Sequence, residues 1–366
     1  MKLRPTMSRN LTVMRRFSLI ALLLCSFAAT PLAAERIDKV SGSRYETAEQ
    51  TITLQPQEFD NLSFTASSYM GGTLKLRTVD STDAVIRYTK VLKANSTSQA
   101  EDFADYIDVK YEELENELSI SAETSSRPPW SGTDYSGRLE IEIDIPHNAE
   151  LKVLIRTTAF NIEVAGPLAT ADISNEFGDI LVSDITRKVK VSTENSGVKV
   201  VRCNGPVTVR TSSRPIMLAD IDSKLGTVML RNTNGQIVLD RVKGELDVRT
   251  ELAPIRASSI TLESGRSKIR TESATLQLNL LGLNGDLTLI DSNGKIELGL
   301  PPDVDARYSL RVDDGGRIYS SGIPIKTDLV TRTRLNGRSG DGQHEIDVDM
   351  RGVGTISLRQ LSTDEL

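Results

Sequence analysis

A pattern of alternating apolar and polar residues recurs seven times between residues 168 and 301. Successive copies begin 18 to 22 residues apart, and each contains two short runs separated by a polar turn such as Asn234-Gly235 or Asn293-Gly294. Alternation with a period of two is typical of β-strands, whose successive side chains point to opposite faces. Repetition at this interval is typical of a solenoid, in which each copy stacks on the one before it.

The alternation also predicts which side chains lie inside. Four apolar positions recur in each copy, two in each run, and each position is expected to form a column through the stack. We therefore predict an all-β fold, a β-solenoid of short two-strand repeats. A series of antiparallel hairpins with Asn-Gly turns is the alternative. The predicted column residues are Val207, Val209, Ile216 and Leu218; Val228, Leu230, Ile237 and Leu239; Leu246, Val248, Ile255 and Ala257; Leu287, Leu289, Ile296 and Leu298.

The first 34 residues are predicted to be a secretory signal peptide. Basic residues precede a 13-residue apolar run from Phe17 to Ala29, and small residues up to Ala34 follow it. This run is shorter than the ~18 to 20 residues that a helix needs to cross a bilayer. We therefore expect cleavage after Ala34, export, and no transmembrane segment in the mature chain.

Two regions are predicted in the mature chain. Residues 35–150 form a smaller, β-rich capping region with one short helix after Ser98, where Ser98 and Glu101 match a capping box. Residues 151–360 form the solenoid, and the last strands of the chain close its other end. Caps are expected because a solenoid exposes unpaired strand edges at both ends.

Charge and cysteine content limit the partners of the chain. Loss of the five basic residues of the signal peptide lowers the formal net charge from -6 to -11. Since nucleic acid binding relies on basic side chains, no nucleic acid partner is predicted. Cys203 is the only cysteine of the predicted mature chain, so no internal disulfide is expected. Nothing in the composition fixes the oligomeric state.

Four arginines are the candidate binding residues. Each follows the first apolar pair of its repeat, so they are expected on neighbouring rungs about 5 Å apart. Like charges at that distance repel, and two explanations stay open. Acids such as Asp220, Asp240, Glu245 and Asp247 neutralise the column, or the column binds an anionic glycan such as an acidic polysaccharide or lipopolysaccharide phosphates. The arginines are Arg210, Arg231, Arg249 and Arg270.

Two rows of carboxylates and one tryptophan could each have a functional or a purely structural role. Two carboxylate rows match either a Ca²⁺ site or a solvated strand face. Trp130 lies in a loop rich in Pro, Gly and Ser, where it either stacks on a sugar or caps the solenoid. The rows are Glu140, Glu142 and Asp144, and Glu345, Asp347 and Asp349.

Signals for catalysis are weak. The two histidines, His147 and His344, are far apart, and Cys203 is expected to be buried within a repeat. No catalytic motif of a known hydrolase or nucleotide-binding class occurs. We predict no catalytic residue, metal or cofactor. A polysaccharide-active β-helix enzyme, a lyase or a hydrolase, is the alternative.

The passages IEIDIPHNAELKVLIRTTAFNIEVAG, SNGKIELGLPPDVDARYSLRVDDGGRI and GQHEIDVDMRGVGTISLRQ carry a family resemblance. With the strand, turn-glycine, strand units between them, they resemble the bacterial "putative adhesin" β-strand-repeat domains of unknown function. The resemblance implies an exported cell-envelope protein with a non-catalytic binding or scaffold role. The periplasm or cell surface of a Gram-negative bacterium is the expected location, and an anionic glycan or another envelope protein is the expected partner.

Overall fold

The structure, a computed structural model, describes residues 36–55, 59–313 and 315–365. The predicted signal peptide and its cleavage site lie outside the described residues. Residues Arg36–Leu366 form one compact unit. Among the described residues, no helix combines the length and the apolar character needed to cross a membrane.

The central part of the chain consists of parallel strands. Every pairing among its twelve strands is parallel, so the antiparallel-hairpin alternative is wrong for this region. An all-β, solenoid-like parallel core is therefore present. The twelve strands are β10 (Lys152–Arg156), β11 (Ala159–Ser174), β12 (Ile180–Ser192), β13 (Val198–Asn204), β14 (Val207–Arg210), β15 (Ile216–Arg231), β16 (Ile237–Arg249), β17 (Ile255–Leu262), β18 (Arg266–Arg270), β19 (Thr275–Leu283), β20 (Asp286–Asp291) and β21 (Lys295–Leu300).

Two parallel ladders run through these strands. The first ladder contains the partners Ile216, Ile237 and Ile255, and the second ladder contains the partners Val207 and Val228. Leu246 is the next partner of Val228 in the second ladder. All the column residues predicted from the repeats are buried, and their pairing matches the predicted correspondence. Aliphatic side chains of successive coils thus form continuous interior columns.

The prediction of two separate short strands in each repeat is not confirmed. Strand β15 runs for 16 residues from the first ladder into the second, across a predicted repeat boundary. One left-handed residue, Asp220 with a φ of 57°, lies within its first-ladder part, and the register with β16 shifts between Ser223 and Thr227 before the second ladder begins. Asp184 and Arg202 have φ values of 61° and 53° at the equivalent corners of neighbouring coils. A single left-handed residue bends a strand as a bulge does, and the strand continues through it into the second ladder.

The N-terminal strands extend both ladders out of chain order. Strand β5 lies between β9 and β11 in the first ladder, and β4 lies between β8 and β10 in the second, in parallel pairing throughout. Strands β6 and β7 then add to the two ladders in antiparallel pairing. The elements are β1 (Ile37–Ser41), β2 (Arg44–Thr47), β3 (Gln50–Thr53), β4 (Asn61–Ala66), β5 (Gly71–Val79), β6 (Val85–Lys93), α1 (Thr97–Ala104), β7 (Asp108–Leu114), β8 (Glu117–Glu123) and β9 (Ser136–Pro146).

Insertion of β5 requires close backbone approach at Gly72. A β-carbon at this position would lie 1.9 Å from the carbonyl oxygen of Leu139 on β9 and 2.9 Å from the ring of Phe160 on β11. Only glycine fits between the two neighbouring strands.

Helix α1 is present, but its predicted start is wrong by two residues. Ser96 is the N-cap: its backbone is extended, and its hydroxyl accepts a hydrogen bond from the Gln99 amide at 3.2 Å. The Gln99 side chain in turn accepts a bond from the Asn95 amide at 2.8 Å. Ser98, the predicted cap, lies inside the helix because Ser96 already satisfies the first turn.

The C-terminal strands also join the stack out of chain order. Strands β26 and β27 pair in parallel with β20 and β21, while the earlier strands β22 and β23 lie beyond them. Antiparallel strands β25 and β24 then complete the second ladder. The elements are β22 (Ala306–Val312), β23 (Arg317–Ser321), β24 (Lys326–Val330), β25 (Arg334–Ser339), β26 (His344–Met350), β27 (Thr355–Gln360) and a 3-10 helix, Thr363–Glu365.

Candidate functional site

The four predicted arginines lie at matching positions of one ladder. Arg210 pairs with Arg231, Arg231 with Arg249, and Arg249 with Arg270, on consecutive rungs of the second ladder. Rungs of a β-sheet lie about 4.8 Å apart. The arginines therefore form a column on the outer surface.

Three of the four arginines are paired with acids. Arg231 forms an ion pair with Asp247 and also donates to the Asp247 carbonyl oxygen at 2.8 Å. Glu272 lies between two rungs and accepts from Arg249 at 3.3 Å and from Arg270 at 3.1 Å. These residues form a salt-bridge ladder of the kind predicted.

The acids of this ladder are only partly those expected from the sequence. Asp247 is one of them, whereas Asp220 and Asp240 instead pair with Arg241 at the corner of the coil. Glu272 was missed because it follows its strand in the turn, where the alternation of the repeat gives no orientation.

Arg210 differs from the other three. Its side chain is exposed and has no ion-pair partner within the described parts of the chain. It borders a shallow depression of about 250 Å³ on the outer surface. The other lining residues are Thr193, Thr211, Ser212, Arg231, Asn232, Thr233, Arg249 and Glu251. The depression thus combines guanidinium groups with hydroxyl and amide side chains and one carboxylate, that of Glu251, which lies 3.7 Å from Arg249.

A column of buried polar residues lies directly behind the arginines. In the sequence, each member comes directly after a residue at an outward position of the second ladder, as Asn232 comes after Arg231. The Asn232 amide shows their role: its nitrogen donates to the Arg214 carbonyl at 2.8 Å, and its oxygen accepts from the Gly235 amide at 3.0 Å. Asn175, Thr193, Thr211 and Thr250 bind backbone carbonyls in a similar way. The Thr271 hydroxyl has no hydrogen-bond partner among the described residues. The column consists of Thr157, Asn175, Thr193, Thr211, Asn232, Thr250, Thr271 and Asp291.

Asp291 is the one acid of this column. It is fully buried, and neither carboxylate oxygen has a hydrogen-bond partner within the described part of the chain. Burial raises the pKa of the Asp291 carboxyl above its usual value, and the nearby backbone N–H groups of Ser292 and Asn293, which favour the charged form, only partly offset this. The sequence contained a signal for this position, since Asp291 to Gly294 matches Asn232 to Gly235 with Asp in place of Asn.

The two carboxylate rows are occupied by cationic side chains of the protein. Glu142 binds Lys75 at 2.9 Å, and Asp144 binds Arg77 at 2.6 Å and also Arg87. Burial alone would raise the pKa of Asp144, but the hydrogen bonds from the two arginines outweigh it and lower that pKa.

The second row behaves in the same way. Glu345 binds Arg266 at 3.1 Å, and Asp349 binds Arg351 at 2.9 Å. Among the described residues, no group of three or more His, Cys, Asp and Glu side chains is placed to hold a metal ion.

Trp130 and Cys203 are structural. Trp130 is buried with its ring centre 5.5 Å from that of Phe103 on α1 and 6.4 Å from that of Tyr106. It therefore fixes the helix to the end of the stack, and its ring faces are not open to a sugar. Cys203 is buried, and burial raises the pKa of its thiol to about 11. A thiol of this kind is a poor nucleophile.

Comparison with known proteins gives one family match. No curated protein matches the chain. A putative cell adhesion protein from Clostridium sporogenes is 10% identical over 86% of this chain and 99% of that chain, with a TM-score of 0.21. A putative lipid binding protein from Parabacteroides distasonis is 11% identical over 86% and 97%, with a TM-score of 0.35. A putative adhesin from Parabacteroides merdae is 10% identical over 86% and 96%, with a TM-score of 0.32.

The family model described as Toastrack DUF4097 matches residues 74–359, which is most of the chain. The matched range includes all four arginines of the column and both carboxylate rows. It confirms the resemblance to uncharacterised bacterial β-strand-repeat domains that the sequence indicated. The chain belongs to the Toastrack DUF4097 family.

Proposed function

We propose that this protein is an exported, non-catalytic envelope protein that binds an anionic glycan at the Arg210 end of the arginine column. The observation that carries the proposal is the state of Arg210, an exposed guanidinium without an ion pair among the described residues. Its three neighbours in the column are held by acids, so Arg210 is the member free to receive a carboxylate, sulfate or phosphate group.

The surroundings of Arg210 support a sugar-bearing ligand. Ser212 and Thr233 line the same depression and are polar groups of the kind that bind sugar hydroxyls. The depression is open and shallow, which suits a chain lying across the rungs better than an enclosed small molecule. In this proposal the outward sides of the two short strands of each coil form the binding surface, and the packed interior columns hold these strands in place.

The location and domain assignments belong to the same proposal. Residues 1–34 act as the signal peptide, residues 35–150 as the capping region and residues 151–360 as the repeat region. The mature protein resides in the periplasm or on the surface of a Gram-negative bacterium. Expression in such a bacterium, followed by fractionation and N-terminal sequencing, should give an exported protein that begins at Glu35.

Binding is tested by retention on immobilised acidic polysaccharides. Arg210→Ser should lose retention while its melting temperature stays that of the wild type. Arg256→Ser is the matched control, because Arg256 is an exposed arginine on the outer face of the first ladder, away from the depression. Equal retention of both variants would contradict the role of Arg210. Release of new reducing ends from the same polysaccharides would contradict the non-catalytic role.

A further inference from the structure

The C-terminal end of the second ladder carries an excess of positive charge, although Glu345 on β26 lies opposite Arg307 and Asp328 lies on β24. Arg307 on β22 lies directly opposite Arg338 on β25, and Arg338 lies opposite Lys326 on β24. Arg334 lies on the same face of β25. All four side chains are exposed, and none has an ion-pair partner among the described residues. Like charges on directly opposite positions destabilise a sheet, so this C-terminal cationic face is costly to an isolated molecule.

The other end of the same ladder is acidic. Strands β7 and β8 direct three acids outward, Asp108, Glu112 and Glu123. Lys110 is the one basic residue in these two strands. Lys110 already binds Glu123 at 2.6 Å and approaches Asp108 at 3.6 Å. A net negative face therefore stands at one end of the second ladder and a net positive face at the other.

Both terminal strands are open edges. Among the described residues, β7 pairs with β8 alone and β24 pairs with β25 alone. Each edge also exposes an apolar side chain that is directed toward the interior side of its sheet. Tyr111 is opposite the buried Ile120 yet 42% exposed, and Val330 is opposite the buried Leu335 yet 60% exposed. A further strand on each edge would cover these apolar side chains. On β7 it would also lie against Glu113, which faces the same side opposite the buried Leu118.

The directions of the two edges are compatible. Strand β24 runs in the direction of the parallel rungs, because it is antiparallel to β25, which is antiparallel to β22. Strand β7 runs against that direction. If one molecule continues the stack of another, β24 of the first meets β7 of the next in antiparallel orientation, with outward faces of opposite charge side by side.

We propose that copies of this chain associate head to tail, with β24 of one copy pairing with β7 of the next. The occupant of each open edge is thus a second copy of the chain. Such a contact joins two different surfaces, so it does not close on itself and produces linear arrays. In such an array the outer surface of each copy repeats at regular intervals. The association itself does not require a glycan.

The test is sedimentation velocity on the chain from Glu35 onward, over a wide range of protein concentration. The wild type should exceed about twice the monomer mass at low ionic strength, because the contact is open-ended. High salt should reduce the mass, because it screens the opposite charges of the two ends.

Two variants separate this contact from other kinds of association. Tyr111→Lys and Val330→Lys each replace the exposed apolar side chain of one edge with a charge, which removes the apolar surface that an added strand would cover. Each variant alone should be monomeric. An equimolar mixture should give a one-to-one dimer and nothing larger, because one partner keeps an intact β24 and the other an intact β7. Met217→Lys, at an exposed position on the outer face of the first ladder, is the control and should assemble like the wild type.

Several results would overturn the proposal. A wild type that stays monomeric at low ionic strength would do so, as would variants that assemble like the wild type. A mass that stops at the dimer, with no dimer regained in the mixture, would indicate a symmetric contact in place of the head-to-tail one.

Discussion

The middle coils and the two ends of the stack follow different rules. In the middle, residues of adjacent repeats are partners, as Ile216 and Ile237 are. At the N-terminal end, Leu74 pairs with Ile141, and at the C-terminal end Leu287 pairs with Ile346. Because the cost of closing a loop rises slowly with its length, such distant pairings cost little more than near ones. The repeat pattern therefore determines which side chains a strand buries. Which strands lie next to each other at the two ends is decided by how their side chains pack.

The largest effect is expected from truncation of a middle column. Ile237→Ala removes a fully buried side chain between Ile216 and Ile255, and it should lower the free energy of unfolding by ~2 to 5 kcal/mol. Val353→Ala, at an exposed turn of the C-terminal end outside the proposed contact, is the control and should change it by less than about 0.5 kcal/mol. Denaturant unfolding measures both. Equal losses would mean that Ile237 does not lie in a packed interior column.

An intermediate effect is expected at Asp291, where the middle meets the C-terminal end. Asp291→Asn supplies the amide that Asn232 has at the equivalent turn, and it should raise the free energy of unfolding at neutral pH by about 1 to 3 kcal/mol. Because folding raises the pKa of Asp291, the wild type should lose stability as pH rises from the unfolded pKa through the folded one.

The Asn variant lacks this contribution, so the gain from substitution should be smaller at acid pH than at neutral pH. Unfolding curves of both proteins across this range provide the measurement. A variant less stable than the wild type at neutral pH would mean that the folded protein stabilises the charged carboxylate, and would contradict this prediction.

The smallest effect is expected at the corners of the middle coils. Arg202 binds Asp184 through two contacts of 2.8 Å, but the pair is exposed, so Arg202→Ala should cost little stability and even less in high salt. Arg202→Gly loses the same ion pair but relieves the left-handed backbone. It should therefore be more stable than the Ala variant. The reverse order would mean that the corner is not strained.

Much of the middle could be predicted from the sequence. The alternation assigned the interior residues correctly. It also placed the four arginines on consecutive rungs, because residues at the same position of successive repeats become partners in the sheet. It did not reveal the left-handed residue at Asp220, since the equivalent positions of neighbouring coils hold Asp, Arg or Ser and share no residue type.

The ends were less predictable. No periodicity indicates that β5 enters between β9 and β11, because that order depends on a close contact at Gly72. The predicted cap of α1 is wrong because Ser96 and Ser98 are both suitable N-cap residues, and the sequence does not distinguish between them. Glu272, which neutralises Arg249 and Arg270, lies in a turn where no alternation applies.

Methyl-methyl nuclear Overhauser contacts in a deuterated, methyl-labelled sample test the central claim most directly. If aliphatic side chains of successive coils form continuous columns, Val228 should show contacts to both Val207 and Leu246, and Leu230 to both Val209 and Val248. Contacts of Val228 with neither of its two expected neighbours would contradict the stacked core.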